Sequence, residues 1–317
     1  MQTRVAALAF VAAFTIAGGQ APIRAQDAPA RPKIIGISHL AVYTSDPAAA
    51  EHFYTVTLGA AKLPDPENPK AVRYAVSSTQ FVEVVPLPKG QGINRLDHTA
   101  WNTESAEGMR KYLAAKGWKT PARVQSGKDG SRWFDVLDPE GNKVQFVEPA
   151  ASKYERERQL YPPNVIGRHI IHVGFLVHDR AVEDKFYHDQ LGFKPYWWGG
   201  RDNKIEWVSQ QVPDGHDWLE YMVSGGPGTG IPATMSQNTL GVLDHLSIGE
   251  SSVPDAYQAL VKGDRLSGRH DQAPKIGLDG KYQFNLYDPD GIRVEMMNFH
   301  ATEKPCCSPF TADDPTE

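Results

Sequence analysis

Apolar residues in this chain occur in short runs that favour strands, and these runs alternate with segments of helical period. Residues 37–42 (ISHLAV) and 170–175 (IIHVGF) are two such runs, each interrupted by a single histidine. An aspartate follows each run, and then a segment in which a Phe-Tyr pair and a leucine four residues beyond the tyrosine share one helical face. Gly59 and Gly192 come directly after these leucines and predict the C-terminal caps of two helices.

These matched segments belong to a long internal repeat. Further pairs are residues 81–85 with 218–222, 96–99 with 243–246, and the DPxG turns 138–144 with 288–294. The offset between equivalent residues grows from 133 at the first histidine to 150 at the DPxG turn, and short loop insertions explain each step. The chain therefore contains two diverged copies of one module, residues 33–149 and 167–299. A charged linker helix is predicted for residues 150–166.

Within each copy the order is strand, helix, several strands, and then the same order again. The second helices are predicted at residues 106–116 and 254–262. Composition adds that 40% of the 317 residues are hydrophobic and 22% are charged, as in a soluble globular protein. The net charge of -5 gives no indication of a basic surface, so nucleic acid is not expected as a partner.

Both termini carry patterns of their own. Residues 1–30 combine an early arginine, an apolar stretch too short to span a bilayer and small residues near Ala25 and Ala30, which predicts a signal peptide. We therefore expect an exported protein, periplasmic or secreted, that is not membrane-bound after processing. The only two cysteines, Cys306 and Cys307, are adjacent and allow a strained disulfide or a soft-metal site. The polar composition of residues 300–317 instead favours a flexible tail.

Four features recur in order in both copies: a histidine in the first strand, a helical Phe-Tyr…Leu-Gly, a second histidine and a DPxG turn. With them, the chain from Ile34 to Phe299 resembles the vicinal oxygen chelate superfamily, which includes glyoxalases, extradiol dioxygenases and bleomycin resistance proteins. The resemblance implies an α+β fold of two tandem modules. Each module is expected to pair two βαβββ units into an open, cup-shaped mixed sheet with metal ligands on its inner face.

The resemblance also implies a ligand set in the second copy. The positions on the first, fifth and last strands hold His172, His245 and Glu295, a set that suits Fe2+, Ni2+, Zn2+ or Mn2+, with Fe2+ favoured. A single histidine on an apolar strand is more often a core residue, but three ligands at three family positions favour a metal. Gly174 shares a strand face with His172 and leaves room there. Glu220 is either a fourth ligand and catalytic base, as in glyoxalases, or an outward-facing strand residue.

The first copy departs from this pattern. His39 and His98 are in place, but Gln145 stands where the last carboxylate is expected. Glu148 lies three residues further on, and because strand side chains alternate it should point to the opposite face. We therefore expect a degenerate and mostly structural first site.

Three functions remain open at this point. The two-module architecture and Gly268-Arg269-His270, with His270 as a catalytic acid or base, favour an extradiol-type ring-cleaving dioxygenase acting on a small aromatic or vicinal-dioxygen substrate. Asn285, where those enzymes have a tyrosine, counts against it. The alternatives are a glyoxalase-like lyase or isomerase with Glu220 as base, and a non-catalytic resistance-type protein that binds a small molecule. The sequence leaves the oligomeric state open, a homodimer included.

Overall fold

The computed structural model describes residues 29–150, 162–224 and 230–316. The predicted signal peptide, except for its last two residues, and most of the predicted linker helix lie outside the described residues. Within the described residues, sixteen strands form two eight-stranded sheets, one in each copy of the repeat. No helix in these ranges is both long and apolar enough to cross a membrane.

The two sheets are built from equivalent strands. The first contains β1 (Ile34–Thr44), β2 (Ala61–Pro64), β3 (Val72–Ala75), β4 (Phe81–Pro86), β5 (Leu96–Thr103), β6 (Gln125–Ser126), β7 (Arg132–Leu137) and β8 (Lys143–Glu148). The second contains β9 (His169–Val177), β10 (Lys194–Gly199), β11 (Trp207–Gln211), β12 (Trp218–Val223), β13 (His245–Glu250), β14 (Lys275–Ile276), β15 (Tyr282–Tyr287) and β16 (Arg293–Asn298). Their spatial orders, β2-β3-β4-β1-β5-β8-β7-β6 and β10-β11-β12-β9-β13-β16-β15-β14, match strand for strand.

Each sheet joins two βαβββ units along their first strands. In the first module β1 and β5 are antiparallel at the centre, and each has a parallel neighbour, β4 and β8 respectively. In the second module β9, β13, β12 and β16 repeat this arrangement. The predicted fold class, two tandem modules of curled mixed sheets, is confirmed. The four central strands of each module are those that carry the candidate ligands.

The helices follow the expected local signals. They are Pro47–His52 and Arg180–Asp184, each continued by a π-helical turn (Phe53–Thr57 and Lys185–Gln190), with Ala106–Ala115, Gln237–Leu243, Val253–Lys262 and a short 3-10 turn, Arg201–Asn203. Asp46 and Asp179, the aspartates after the first strands, accept hydrogen bonds from backbone N–H groups of the next helix. Gly59 and Gly192 end these helices with φ of +72° and +79°, a conformation that favours glycine.

The repeated Phe-Tyr and DPxG motifs meet at the interface between the modules. The Tyr54 hydroxyl donates to Asp288 of the second module at 3.0 Å, and the Tyr187 hydroxyl donates to Asp138 of the first at 3.2 Å. All four side chains are buried. Each module therefore supplies one tyrosine donor and one aspartate acceptor. This reciprocity relates the two modules by an approximate two-fold arrangement.

The first strands of the two modules are joined by a second reciprocal contact. Gln80 exchanges two hydrogen bonds with the backbone of Ile170 on β9, at 2.7 and 2.9 Å. Asp217, at the equivalent place in the second module, accepts from the backbone N–H of Ile37 on β1 at 2.8 Å. Because these residues precede β4 and β12, the interface positions the strands that carry the candidate ligands.

Residues 300–316 pack against the second module, which corrects the expectation of a flexible tail. Phe310 lies against the Tyr196 ring at 4.9 Å, and Asp314 accepts from Lys281 at 2.7 Å. Cys306 and Cys307 form a disulfide between adjacent residues. The physical reason for the packing is Lys281, whose fully buried ammonium needs a counter-charge that the tail supplies.

Candidate metal centre

Four side chains from the four central strands converge inside the second module. His172 Nε2 lies 3.1 Å from His245 Nε2 and 3.2 Å from Glu295 Oε2. Glu220 Oε2 lies 3.2 Å from His245 Nε2. Both histidines are fully buried, and the two glutamates are 2% and 8% exposed. The residues that the resemblance implied are thus brought together, and Glu220 faces the same point rather than pointing outward.

The geometry of the two imidazoles fits a shared cation. His245 Nδ1 lies 2.8 Å from the carbonyl oxygen of Leu243, and because a carbonyl only accepts, Nδ1 carries the proton. The lone pair of Nε2 is therefore free and faces His172. Two nitrogens that each bind one ion at about 2.0–2.1 Å lie roughly 2.9–3.4 Å apart, depending on the coordination angle. The observed separation of 3.1 Å falls in this range.

A glycine makes room for one of these rings. A Cβ atom on Gly174 would lie 2.1 Å from His245 Cε1, so no larger residue fits without displacing the imidazole. Gly174 stands opposite His245 in the antiparallel pairing of β9 and β13. The sequence had placed this free space next to His172, on the same strand. The structure assigns it to His245 instead.

The charges of the side chains in this second-module cluster favour a bound cation. Burial alone would raise the pKa of Glu295, but the charge of Arg293 and the contact with His172 outweigh it and lower the pKa to about 2. The pKa of Glu220 is also lowered, because its contact with His245 and the nearby His172 outweigh burial. Burial and then Arg293 lower the pKa of His245 to about 4. At neutral pH the site therefore presents two carboxylates and an uncharged His245 imidazole.

A small cavity of about 100 Å³ opens onto the two glutamates. Its walls include Trp197, Trp207, Met297 and Asp279. Asp279 is 6% exposed, and burial raises its pKa to about 7. Sequence reasoning missed this residue, although a repeated Gly-x-Asp-Gly at residues 127–130 and 277–280 could have revealed it.

His270 is not brought into the site, which corrects the catalytic role expected for it. It forms an isolated bridge with Leu286, and its ring lies 6.2 Å from that of Phe284. Phe284 and Leu286 face the core, whereas Asn285 between them pairs with Glu295. Because strand side chains alternate, His270 lies on the opposite face of the sheet from the glutamates.

The first module carries a related cluster. His39 Nε2 lies 3.0 Å from His98 Nε2, and Glu83 Oε2 lies 3.5 and 3.8 Å from these two nitrogens. Sequence reasoning assigned no role to Glu83, although it aligns with Glu220. Burial, followed by the charges of Asp65 and Glu67, raises the pKa of Glu83 to about 8. Its protonation therefore differs from that of the second-module glutamates.

The candidate ligand position on the last strand also differs between the two modules. Gln145 donates from Nε2 to Asp135 on β7 at 3.1 Å. Glu148 faces the other side of the sheet, as predicted, and accepts from the backbone N–H of Ala106 at 2.9 Å.

A larger cavity of about 480 Å³ lies beside this cluster, and its walls include Phe81, Arg73, Asn102 and Val147. Phe81 stacks on His39 at 4.4 Å.

Comparison with known families and structures extends these observations. The model of the Glyoxalase/Bleomycin resistance protein/Dioxygenase superfamily matches residues 36–146 and 159–296. No curated protein sequence matches the chain significantly.

Several solved structures share the two-module fold. Homoprotocatechuate 2,3-dioxygenase from Brevibacterium fuscum, in complex with 3,4-dihydroxyphenylacetate, aligns with a TM-score of 0.62 and 18% identity over 90% of this chain and 84% of that one. The 2,3-dioxygenase LapB from Pseudomonas sp. KL28 aligns with a TM-score of 0.61 and 15% identity over 87% and 97% of the two chains. A catechol 2,3-dioxygenase gives 0.61 and 15% over 90% and 96%. At these identities the likeness is one of fold.

Proposed function

The chain belongs to the Glyoxalase/Bleomycin resistance protein/Dioxygenase superfamily, and we propose that its second module is a divalent-metal-dependent, extradiol-type ring-cleaving dioxygenase for a small aromatic substrate with two adjacent oxygens. The observation that carries the proposal is the cluster of His172, His245 and Glu220, with Glu295 3.2 Å from His172. Imidazole nitrogens combined with carboxylate oxygens suit Fe2+, which we propose as the ion. The fold shared with ring-cleaving dioxygenases over most of the chain supports the reaction type.

The chain's own residues have defined roles in this proposal. When bound, the ion would supply positive charge to two adjacent substrate oxygens. Trp197 and Trp207 form an apolar wall suited to an aromatic ring. Asp279 faces the same cavity and, with a pKa of about 7, can accept or release a proton near neutral pH. Asp279 thus takes the acid–base role that His270 cannot perform from the opposite face.

One observation favours a second function, a glyoxalase-like lyase or isomerase. Glu220 lies 3.2 Å from His245 Nε2 and is ionised at neutral pH. A carboxylate in this position can remove a proton from the carbon next to a carbonyl group. The absence of His270 from the cup removes one residue that had favoured the dioxygenase.

Reconstitution with defined metals separates the two reactions. The purified protein is stripped with a chelator and loaded with Fe2+, Ni2+, Zn2+ or Mn2+ in turn. We expect the Fe2+ protein to consume O2 with catechol or 3,4-dihydroxyphenylacetate and to form a coloured ring-opened product. The Ni2+ or Zn2+ protein should instead catalyse exchange of α-protons in a 2-oxoaldehyde adduct if the second function is correct. A protein that takes up none of these ions would contradict both reactions and leave a small-molecule binding protein.

Glu220→Gln sharpens this separation. As a general base, Glu220 should contribute about 100-fold or more to turnover, while the two histidines and Glu295 retain the ion. A large loss of proton exchange with metal retained would favour the lyase or isomerase. Unchanged ring cleavage in the same variant would favour the dioxygenase.

We also propose that the protein works outside the cytoplasm. The pattern of residues 1–30 and the Cys306–Cys307 disulfide support this, because structural disulfides persist mainly in oxidising compartments. Cell fractionation with N-terminal sequencing of the mature chain tests it. A cytoplasmic protein that retains Met1 would contradict export.

A further inference from the structure

We propose that the first module holds a second divalent cation between His39, Glu83 and His98, with the amide oxygen of Gln145 as a fourth donor. The proposed enzymatic function concerns the second module alone, so this site is additional to it. It also revises the expectation, drawn from Gln145, that the first copy is mostly structural.

The donor atoms already converge. The two histidine Nε2 atoms are 3.0 Å apart, within a tenth of an ångström of the corresponding 3.1 Å in the second module. Glu83 Oε2 lies within 3.8 Å of both nitrogens. His39 is fully buried, and His98 and Glu83 are each 4% exposed. A nitrogen and oxygen cluster of this kind, buried and closely spaced, has the form of a transition-metal site.

The hydrogen bond of the His98 ring directs the lone pair of its Nε2 inward. His98 Nδ1 lies 2.7 Å from Asp97 Oδ2, and since an ionised carboxylate only accepts, Nδ1 carries the proton. Lys143 donates to the same Asp97 oxygen at 2.7 Å and holds that carboxylate in place. His39 Nδ1 lies 3.1 Å from Ser38 Oγ. A carboxylate that orients a ligating imidazole through its far nitrogen is a common feature of protein metal sites.

Gln145 provides an independent indication. Its Nε2 donates to Asp135 at 3.1 Å, and because an ionised carboxylate accepts only, this bond fixes which end of the amide is the oxygen. The oxygen Oε1 is buried and has no hydrogen-bond partner among the described residues. In the strand register, Ala100 pairs with both His39 and Gln145, as Ser247 pairs with both His172 and Glu295. Gln145 therefore holds the place of Glu295, with an unsatisfied oxygen donor available.

In each module one charged and one neutral side chain face each other on the last two strands, but the charged one is on opposite strands in the two modules. In the first module, Gln145 on β8 pairs with Asp135 on β7; in the second, Glu295 on β16 pairs with Asn285 on β15. The first site therefore presents one carboxylate ligand and the second presents two. Since affinity for a cation increases with the charge of its ligands, the first site should bind at least about tenfold more weakly.

Metal titration of the full chain tests the site without any activity measurement. The protein is stripped with a chelator and titrated with Co2+ in equilibrium dialysis, and bound cobalt is measured by elemental analysis. We expect two equivalents, with the second weaker. His98→Ala should remove only the weaker equivalent, and His245→Ala only the tighter one. His188→Ala, which changes an exposed histidine, is the matched control and should leave both.

A gain-of-affinity variant keeps the proposal testable if His98→Ala does not fold. Asp135→Asn combined with Gln145→Glu reproduces the Asn285–Glu295 pair in the first module and should tighten the weaker equivalent about tenfold or more. A single equivalent at saturating Co2+ in both the wild type and this variant, lost in His245→Ala, would overturn the proposal. A weaker equivalent that survives His98→Ala in a folded protein, or that is lost in His188→Ala, would also overturn it. A single wild-type equivalent that is lost in His98→Ala but kept in His245→Ala would count only against the proposed second-module function.

Discussion

The two modules have the same strand order and the same four ligand positions, yet their electrostatics differ. In the second module Glu295 and Glu220 have lowered pKa values, whereas in the first module burial raises the pKa of Glu83 to about 8. Arg293 contributes the largest favourable charge at Glu295, while Glu83 faces the negative charges of Asp65 and Glu67. The comparison shows that the fold conserves the positions of the donors, and that neighbouring charges decide how strongly they attract a cation.

A single backbone position contributes to the difference in geometry. Gly174 lies under His245 and lets Glu220 approach that ring to 3.2 Å. Ala41 stands opposite His98 in the equivalent register of the first module, where Glu83 is 3.8 Å from the ring. The extra methyl group gives a simple steric reason for the longer distance between Glu83 and His98.

The two cups also differ in what lies over them. The C-terminal segment packs on the second module through Phe310 and the buried Asp314–Lys281 pair, and a cavity of only about 100 Å³ remains at the ligands. Beside the first cluster, the cavity is about 480 Å³. The cavity at the second-module cluster is therefore the smaller of the two.

The largest expected effect comes from Glu295→Ala. Removal of this carboxylate should weaken the tight metal site of the second module by more than about 100-fold, beyond the 10–100-fold typical for a mere hydrogen-bond partner of a ligand. Competition with a chromogenic chelator measures it. Gln145→Ala is the matched control and should leave the tight site nearly unchanged. Equal losses in the two variants would show that the modules do not differ as described.

A smaller loss is expected from Gly174→Ala. The added methyl group would collide with His245 Cε1, so the imidazole must move and metal affinity at the second site should fall by about 10–100-fold. The reciprocal change, Ala41→Gly, adds no bulk and should not weaken the first site. Both are measured by the same chelator competition. If Gly174→Ala kept full affinity, the steric account of the difference would be wrong.

The last expected effect leaves the metal sites unchanged and concerns stability and the interface between the modules. Burial and the charge of Asp138 raise the pKa of Glu183 from its ordinary value of 4.5 to about 9. Between pH 4.5 and about 9 the folded protein therefore keeps a proton that the unfolded chain releases. The free energy of unfolding falls as pH rises through this range, by at most about 1.4 kcal/mol per pH unit.

Glu183→Gln removes this titration and keeps the shape of the protonated acid. Its thermal unfolding temperature should therefore rise relative to that of the wild type between pH 5 and pH 9. Glu107→Gln, which changes a half-buried helix residue of the first module whose pKa is lowered instead, should show no such increase. A constant difference between Glu183→Gln and the wild type across this range would contradict the raised pKa.

The sequence alone determined the internal repeat and, through it, the fold. The strand histidines, the capping aspartates and the glycines after each helix are local signals, since each depends on residues only a few positions apart. The sequence also predicted His172, His245 and Glu295 as candidate ligands, because each occupies a definite place in a repeated order of strands. It left the direction of the Glu220 side chain open.

Only the tertiary structure decided the features that depend on distant parts of the chain. His270 lies on the wrong face because strand register, which no local pattern specifies, pairs it with Leu286. Tyr54 and Tyr187 looked like parts of a helix face, but each donates to the DPxG turn of the other module. The tail packs because a buried lysine more than 30 residues away needs its aspartate. Such contacts arise from burial and charge brought together in space, and the order of residues along the chain does not display them.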